Sequence, residues 1–165
     1  MVDLKRTRRL LIVGPSFRRR KDNCLLPAFE RYDGLFFRVA RKNLGDIKDV
    51  DVAVMIDDLR LVDGSTLMRY NEPEGKHWGG KIIPKKAVEN AKVMNETYFK
   101  TKLGRKKYSE IFISMGKEYA VALPDLSHYE VKVVFPTSGG PGPKAQALKE
   151  WLRSRALTRQ FDRAV

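Results

Sequence analysis

LLIVG (10–14) is a run of four large apolar residues closed by a glycine and followed by Pro15. A strand with one wet face alternates apolar and polar residues. A continuous run bounded by Gly-Pro instead suits a strand covered on both faces, as in a parallel sheet. VDVAVMI (50–56), EIFISMG (110–116) and VKVVF (131–135) read the same way. Helical spacing fills the gaps between them. LPAFERYDGLFFRVARKNL (26–44) carries one or two helices, with a break at Asp33-Gly34. PKKAVENAKVMNETYFKTKL (84–103) has Pro84 in its first turn and Ala87, Val88, Ala91, Met94 and Tyr98 on one face. A last helix runs from near Pro143 to about Thr158, with Ala145, Leu148, Leu152 and Ala156 as its stripe. Strands alternating with helices predict an α/β fold, a three-layer sandwich with a mostly parallel central sheet of about four strands. No linker divides the chain, so residues 1–165 read as one α/β domain, with a basic arm at 1–9 and a frayed tail at 159–165.

The charge balance is less ordinary than the fold. Lys and Arg number 33 against 20 Asp and Glu, a net charge of +13 with a pI near 10.0. Such an excess attracts polyanions through counterion release, which makes nucleic acid, DNA or RNA, the leading partner class. A surface rich in Lys, Arg and Glu of the thermophile kind accounts for many charges but less well for the imbalance. Cys24 is the only cysteine, which excludes an intramolecular disulfide and a cysteine zinc site. His77 and His128 lack the H-E-x-x-H spacing, so no metal is expected, and no cofactor is identifiable. LLIVG is too short for a signal segment or a membrane span, so the expectation is a cytoplasmic protein without a membrane partner.

In open α/β sheets ligands bind beyond the carboxyl ends of the strands. Four segments then meet on one rim: GPSFRRRK (14–21), the loop opened by Asp57-Asp58, SMGK (114–117) and PTSGGPGPK (136–144). The last is a strand–loop–helix element. Gly139, Gly140 and Gly142 permit close backbone approach, and free N–H groups at Ser138, Gly139 and Gly140 suit an anion, with Lys144 adding charge. It is neither a P-loop nor a dinucleotide fingerprint, and the blander reading is a tight capped turn. Arg18, Arg19 and Arg20, with Ser16 before them and Lys117 across the rim, are candidate phosphate contacts, because the guanidinium fork matches phosphate oxygens. The alternative is a solvated basic loop. KRTRR (5–9) reads as a solvated arm adding to the same field. Asp57, directly after a buried strand, is the best candidate for a general base or polar reader. Asp58, Asp63 and Glu72 join it in an acidic island that could supply a base or hold a metal or a nucleobase edge, although Asp63 and Asp58 read more simply as turn and cap residues. Trp78 offers a stacking surface or a loop anchor. The long stretch 57–80 is the most irregular in the chain.

Taken in order, these segments resemble the YaaA-like domains of unknown function. Ala28, Tyr32, Gly34, Phe37 and Arg38 match that group's A-x-x-x-Y-x-G-x-x-F-R element. Leu61, Asp63 and Arg69-Tyr70-Asn71 match its second loop, SMGKEYAVAL its third-strand turn, and PTSGGPGPKAQALKEWL its closing element. The likeness covers about residues 10–155. It implies an α/β sandwich similar to uracil-DNA-glycosylase-like domains and a place near nucleic-acid base modification or repair, without an established catalytic set. The chain departs from the pattern at GPSFRRRK, which has no cysteine, and at Asp58-Leu59-Arg60.

The expectation is therefore a protein that binds nucleic acid at a basic strand-end rim, with glycosidic-bond or base-modification chemistry as the class if it is an enzyme. Two alternatives stand beside it. One is an enzyme acting on a free nucleotide or phosphorylated small molecule. The other is a noncatalytic accessory module that pairs with a protein partner or a second copy, with LTRQFDRAV (157–165) as a docking segment.

Overall fold

The computed structural model describes residues 8–45, 47–72, 83–105 and 108–163, with side chains as far as Ser154. In chain order the elements are β1 (Arg8–Val13), β2 (Leu26–Pro27), α1 (Ala28–Arg31), α2 (Leu35–Leu44), β3 (Val50–Met55), β4 (Leu61–Asp63) and β5 (Leu67–Met68). There follow α3 (Lys85–Arg105), β6 (Tyr108–Ser114), α4 (Lys117–Ala120), a 3-10 turn at Leu126–His128, β7 (Lys132–Val134) and α5 (Pro141–Arg163).

Among the described residues the main sheet has the order β4-β3-β1-β6-β7. β1 is its axis, pairing in parallel with β3 on one side and β6 on the other, so that Leu11 lies between Val52 and Phe112. β7 extends the sheet in parallel, and β4 folds back antiparallel on β3. β2 and β5 make a separate small antiparallel ribbon. The α/β class and the mostly parallel sheet match the sequence expectation. β4 and β5 arise from the first half of the stretch read as irregular, and β2 from the start of the stretch read as helical, because two- and three-residue strands are too short to carry a periodic signal.

Both faces of the sheet are covered, which is why the strands read as unbroken apolar runs. Leu11, Val13, Val54 and Phe112 pack under α2 and α5 through Phe37, Ala40, Leu148, Trp151 and Leu152. Leu10, Ile12, Ala53, Met55, Ile111 and Ile113 pack under α3 and the α4 region through Ala91, Phe99, Ala122 and Leu126. Residues 26–44 form two helices, as Asp33-Gly34 suggested. Tyr32 closes α1 in extended backbone and stacks on Phe37 at 5.3 Å, while Gly34 opens α2. A Cβ on Gly34 would stand 2.7 Å from that of Ser16, so a larger residue would push the loop after β1 off α2.

Two sequence expectations are corrected here. Arg8 and Arg9 are not a solvated arm: they begin β1, and Arg9 is fully buried. Its guanidinium donates to the carbonyls of Trp151 (2.6 Å) and Leu152 (3.4 Å), faces Asp49 at 3.5 Å and lies 4.5 Å from the Trp151 ring centroid. The buried face of α3 is Ala91, Asn95 and Phe99, and Met94 is exposed. A polar residue in that stripe hides it from an apolar count. The Asn95 amide oxygen accepts from Leu61 N (2.8 Å), and its nitrogen donates to Leu59 O (3.0 Å) and Ala122 O (2.9 Å). One amide thus joins α3, the β3–β4 turn and the end of α4. Leu59 holds a left-handed φ of 72° in that turn.

Asn95→Leu would strand one buried N–H and two buried carbonyls. It is expected to destabilise the fold by about 3 kcal/mol, read as a lower urea midpoint. Val88→Ala on the same helix, at a half-buried position, should shift the midpoint much less.

Candidate functional site

The connection after β1 runs through α1 and α2 on one face of the sheet. The connection after β6 runs through the α4 region on the other. Adjacent strands whose exits diverge leave a crevice at their carboxyl ends, the switch point of a doubly wound sheet. Here that crevice is a cavity of about 270 Å³. Gly14 and Pro15 form one wall and Ser114, Met115 and Gly116 another. Gly139, Gly140, Pro141 and Lys144 come from the turn into α5, and Phe36, Glu118 and Tyr119 complete it.

Gly14 N donates to Ser114 O at 3.0 Å, so the two strand ends touch. A Cβ on Gly14 would fall 2.6 Å from Met115 Cβ, which makes glycine a requirement of this approach. A Cβ on Gly116 would collide with the Glu118 carboxylate, folded back over it. Gly139 has φ +82°, the left-handed turn that aims the chain into α5. Pro141 and Pro143 occupy the first turn of α5 and bring no N–H, so its donors there reduce to Gly142. Lys144 is half-buried against the cavity, with no charged or hydrogen-bonded side-chain partner among the described residues. Burial, followed by the Glu118 and Asp57 charges, pushes the Tyr119 phenol up to about 12, so it remains a neutral donor.

The other expected residues divide by what they touch. Arg19 is buried, and its guanidinium grips both Asp57 oxygens at 2.8 and 2.9 Å. It also donates to Ser16 O and Asn71 O, each at 3.1 Å, and lies 5.0 Å from the Tyr32 ring centroid. Arg19 and Asp57 are thus each other's partners, and together they tie the loops after β1 and β3. Ser16 Oγ donates to Arg18 O (2.6 Å) and accepts from Gly34 N (3.2 Å), shaping the loop. Arg20 is paired with Asp22 through two hydrogen bonds of 3.1 and 2.9 Å. Arg18 is exposed and stands 3.8 Å from Asp33, which already binds Arg38 and Arg41. Lys117 is exposed at the start of α4, and Ser138 is exposed outside the cavity lining.

Sequence reasoning missed Glu118, Tyr119 and Phe36 in the crevice. SMGKEY placed two of them beside a strand end, but a four-residue helix carries no periodic signal. It also missed Arg31, which is buried and donates to the carbonyls of Arg20 (2.9 Å), Asp22 (3.0 Å), Cys24 (2.5 Å) and Met68 (3.2 Å). This one side chain pins the basic loop to the ribbon. A separate cavity of about 490 Å³ lies beside the amino end of β3. Two of the three acids that line it are already engaged: Asp51 accepts from Arg8 and Tyr108, and Asp63 from Tyr98 and Lys102.

His77 and Trp78 lie outside the described residues, as do the side chains of the 157–165 segment. Among the described residues no group of three or more His, Cys, Asp and Glu is placed to hold a metal ion, and no helix is long and apolar enough to cross a membrane. No family model, curated protein or solved structure matches the chain.

Asp57→Asn keeps the shape but removes the charge that faces a buried guanidinium. Because Asp57 is partly exposed, the expected loss is about 2 kcal/mol, under the usual cost of breaking a fully buried pair, measured by denaturant unfolding. Unchanged stability would refute the anchoring role. Asp33 gives a pH signature. Its hydrogen bond from Arg38, and then the Arg41 charge, hold its carboxyl below the usual range. A depressed carboxyl stabilises the fold above its unfolded pKa and loses that contribution as pH falls through the folded value. The stability gap between wild type and Asp33→Asn should therefore be flat above about pH 5 and close below about pH 4.

Proposed function

We propose that the protein binds nucleic acid at the carboxyl-end rim and takes one nucleotide unit into the crevice between the loops after β1 and β6. The observation that carries this reading is the glycine-walled crevice at the switch point, with the unpaired Lys144 beside it, in a chain of net charge +13. The N–H groups of Gly139, Gly140 and Gly142 and the Lys144 ammonium suit a phosphate. The Phe36 and Tyr119 rings give the crevice an apolar side that suits a base. Lys117, Arg18 and Lys21 extend the positive field along the rim.

The likeness of the 28–38 element and PTSGGPGPK to YaaA-like domains supports the same neighbourhood, base modification or repair. For chemistry at the crevice, Glu118 is the carboxylate in place, since both Asp57 oxygens are taken by Arg19. A cytoplasmic location goes with this reading, because that is where nucleic acid and reduced thiols such as that of Cys24 occur together.

Binding of fluorescent DNA and RNA oligomers across a salt series tests it. Affinity should fall steeply with salt. Lys144→Ala should weaken all sequences alike and flatten the log–log salt slope by about one. An Asp22→Ala control frees Arg20 and should leave the slope no flatter. Saturable binding of a mononucleotide with a shallow slope, and no oligomer binding, would replace this reading with the free-nucleotide one.

A further inference from the structure

The loop that walls the crevice continues into a second concavity of about 610 Å³. Phe17, Arg18, Lys21 and Tyr70 line it, together with Asp33 and Glu72. Phe17 is 52% exposed, on the loop that follows β1. Its neighbours Pro15 and Gly14 belong to the crevice, so crevice and groove share one loop. Tyr70 is half-buried and steadied by the Arg31 guanidinium 6.0 Å from its ring centroid and by a 3.4 Å hydrogen bond to Glu72. Of the two acids, Asp33 is already bonded to Arg38 and Arg41. Lys21 has no ion-pair partner among the described residues, and Arg18 is only loosely held at 3.8 Å. The groove thus offers two aromatic rings and two available cations, with the Glu72 carboxylate held on the Tyr70 hydroxyl.

We infer that this groove is the track of a single-stranded nucleic acid, whose bases stack on Phe17 and Tyr70 while Arg18 and Lys21 meet its phosphates. The inference rests on the crevice as a nucleotide site and names its substrate as an unpaired strand rather than a duplex or a free nucleotide. Aromatic rings together with cations are what an unpaired strand needs, since each base presents a face and each linkage a charge. A duplex hides its base faces and would meet only the cations. The buried lattice of Arg19 and Arg31 holds the loop in place, so the rings are presented without a large ordering cost.

The test uses the full chain, with oligo-dT and oligo-U, a duplex of equal length, and an abasic strand that keeps the phosphates. Single strands should bind at least tenfold tighter than duplex or abasic strand. Phe17→Ala should weaken single-strand binding about tenfold and leave abasic binding unchanged, while Phe17→Trp retains affinity. Tyr70→Phe, which keeps the ring, should match wild type. Equal binding of duplex and single strand, indifferent to Phe17→Ala but weakened by Lys144→Ala, would overturn the stacking groove and leave the crevice reading standing. No binding of any of these at low salt would overturn both.

Discussion

The rim of this protein depends on one buried cation. Arg19 enters from the loop after β1 and closes on Asp57 at the end of β3, on carbonyls of Ser16 and Asn71, and on the face of Tyr32. Two strand-end loops and α1 are thereby fixed to a single planar group. Tyr32 in turn stacks on Phe37, so the restraint passes directly into the core beneath α2 and α5. A lysine would not serve, because one ammonium cannot meet a carboxylate bidentately while capping two carbonyls in the same plane. The residue that reads as the centre of a phosphate-binding triplet is instead what gives its neighbours Phe17 and Arg18 a defined position.

Arg9 and Arg31 follow the same logic. Taking a guanidinium out of water costs several kcal/mol, and the burial is sustained when most of its donors are met. Arg31 meets four backbone carbonyls, and Arg9 meets two carbonyls, Asp49 and the Trp151 ring. Loops such as 20–24 have too few backbone pairs of their own, and the arginines supply the missing donors. A formal charge of +13 therefore overstates how much positive group faces solvent for a partner to touch. Among the described residues, the charges at the carboxyl-end rim that remain for it include those at Arg18, Lys21, Lys117 and Lys144.

The sheet was legible because apolar runs such as LLIVG and VAVM have no second explanation in a chain of this length, and because Asp33-Gly34 and Pro84 mark helix boundaries by sterics alone. Convergence of the four strand-end segments on one rim followed from topology. Side-chain partners did not follow. Nothing in FRRRK distinguishes Arg19, which turns inward, from Arg18 and Arg20, which do not; the distinction lies in Asp57 and Tyr32, far along the chain. Arg9 read as part of a basic arm for the same reason. Asn95 was invisible because its partners are backbone groups of Leu59, Leu61 and Ala122. Glu118 and Tyr119 lie on a turn of helix too short for periodicity to register.

PTSGGPGPK is a turn, and on the proposed reading it is also a cradle. Gly139 must be glycine for its positive φ, with Pro143 only 3.1 Å from where a Cβ would stand. That is the turn. Prolines at 141 and 143 then set the helical φ of α5 from its first residue, at the expense of two N–H donors. A helix start built to seize a free phosphate would keep those donors. This one keeps Gly142, the loop amides before it and the tethered charge of Lys144. On the proposed reading such a site would hold a phosphate by few directional bonds and one ammonium, which suits a backbone linkage already positioned by contacts elsewhere. On the proposed reading those other contacts would come from Phe17, on the loop that forms the opposite wall, and from Tyr70, on the segment after β5; a weak phosphate grip beside strong base stacking is the division of labour an unpaired strand requires.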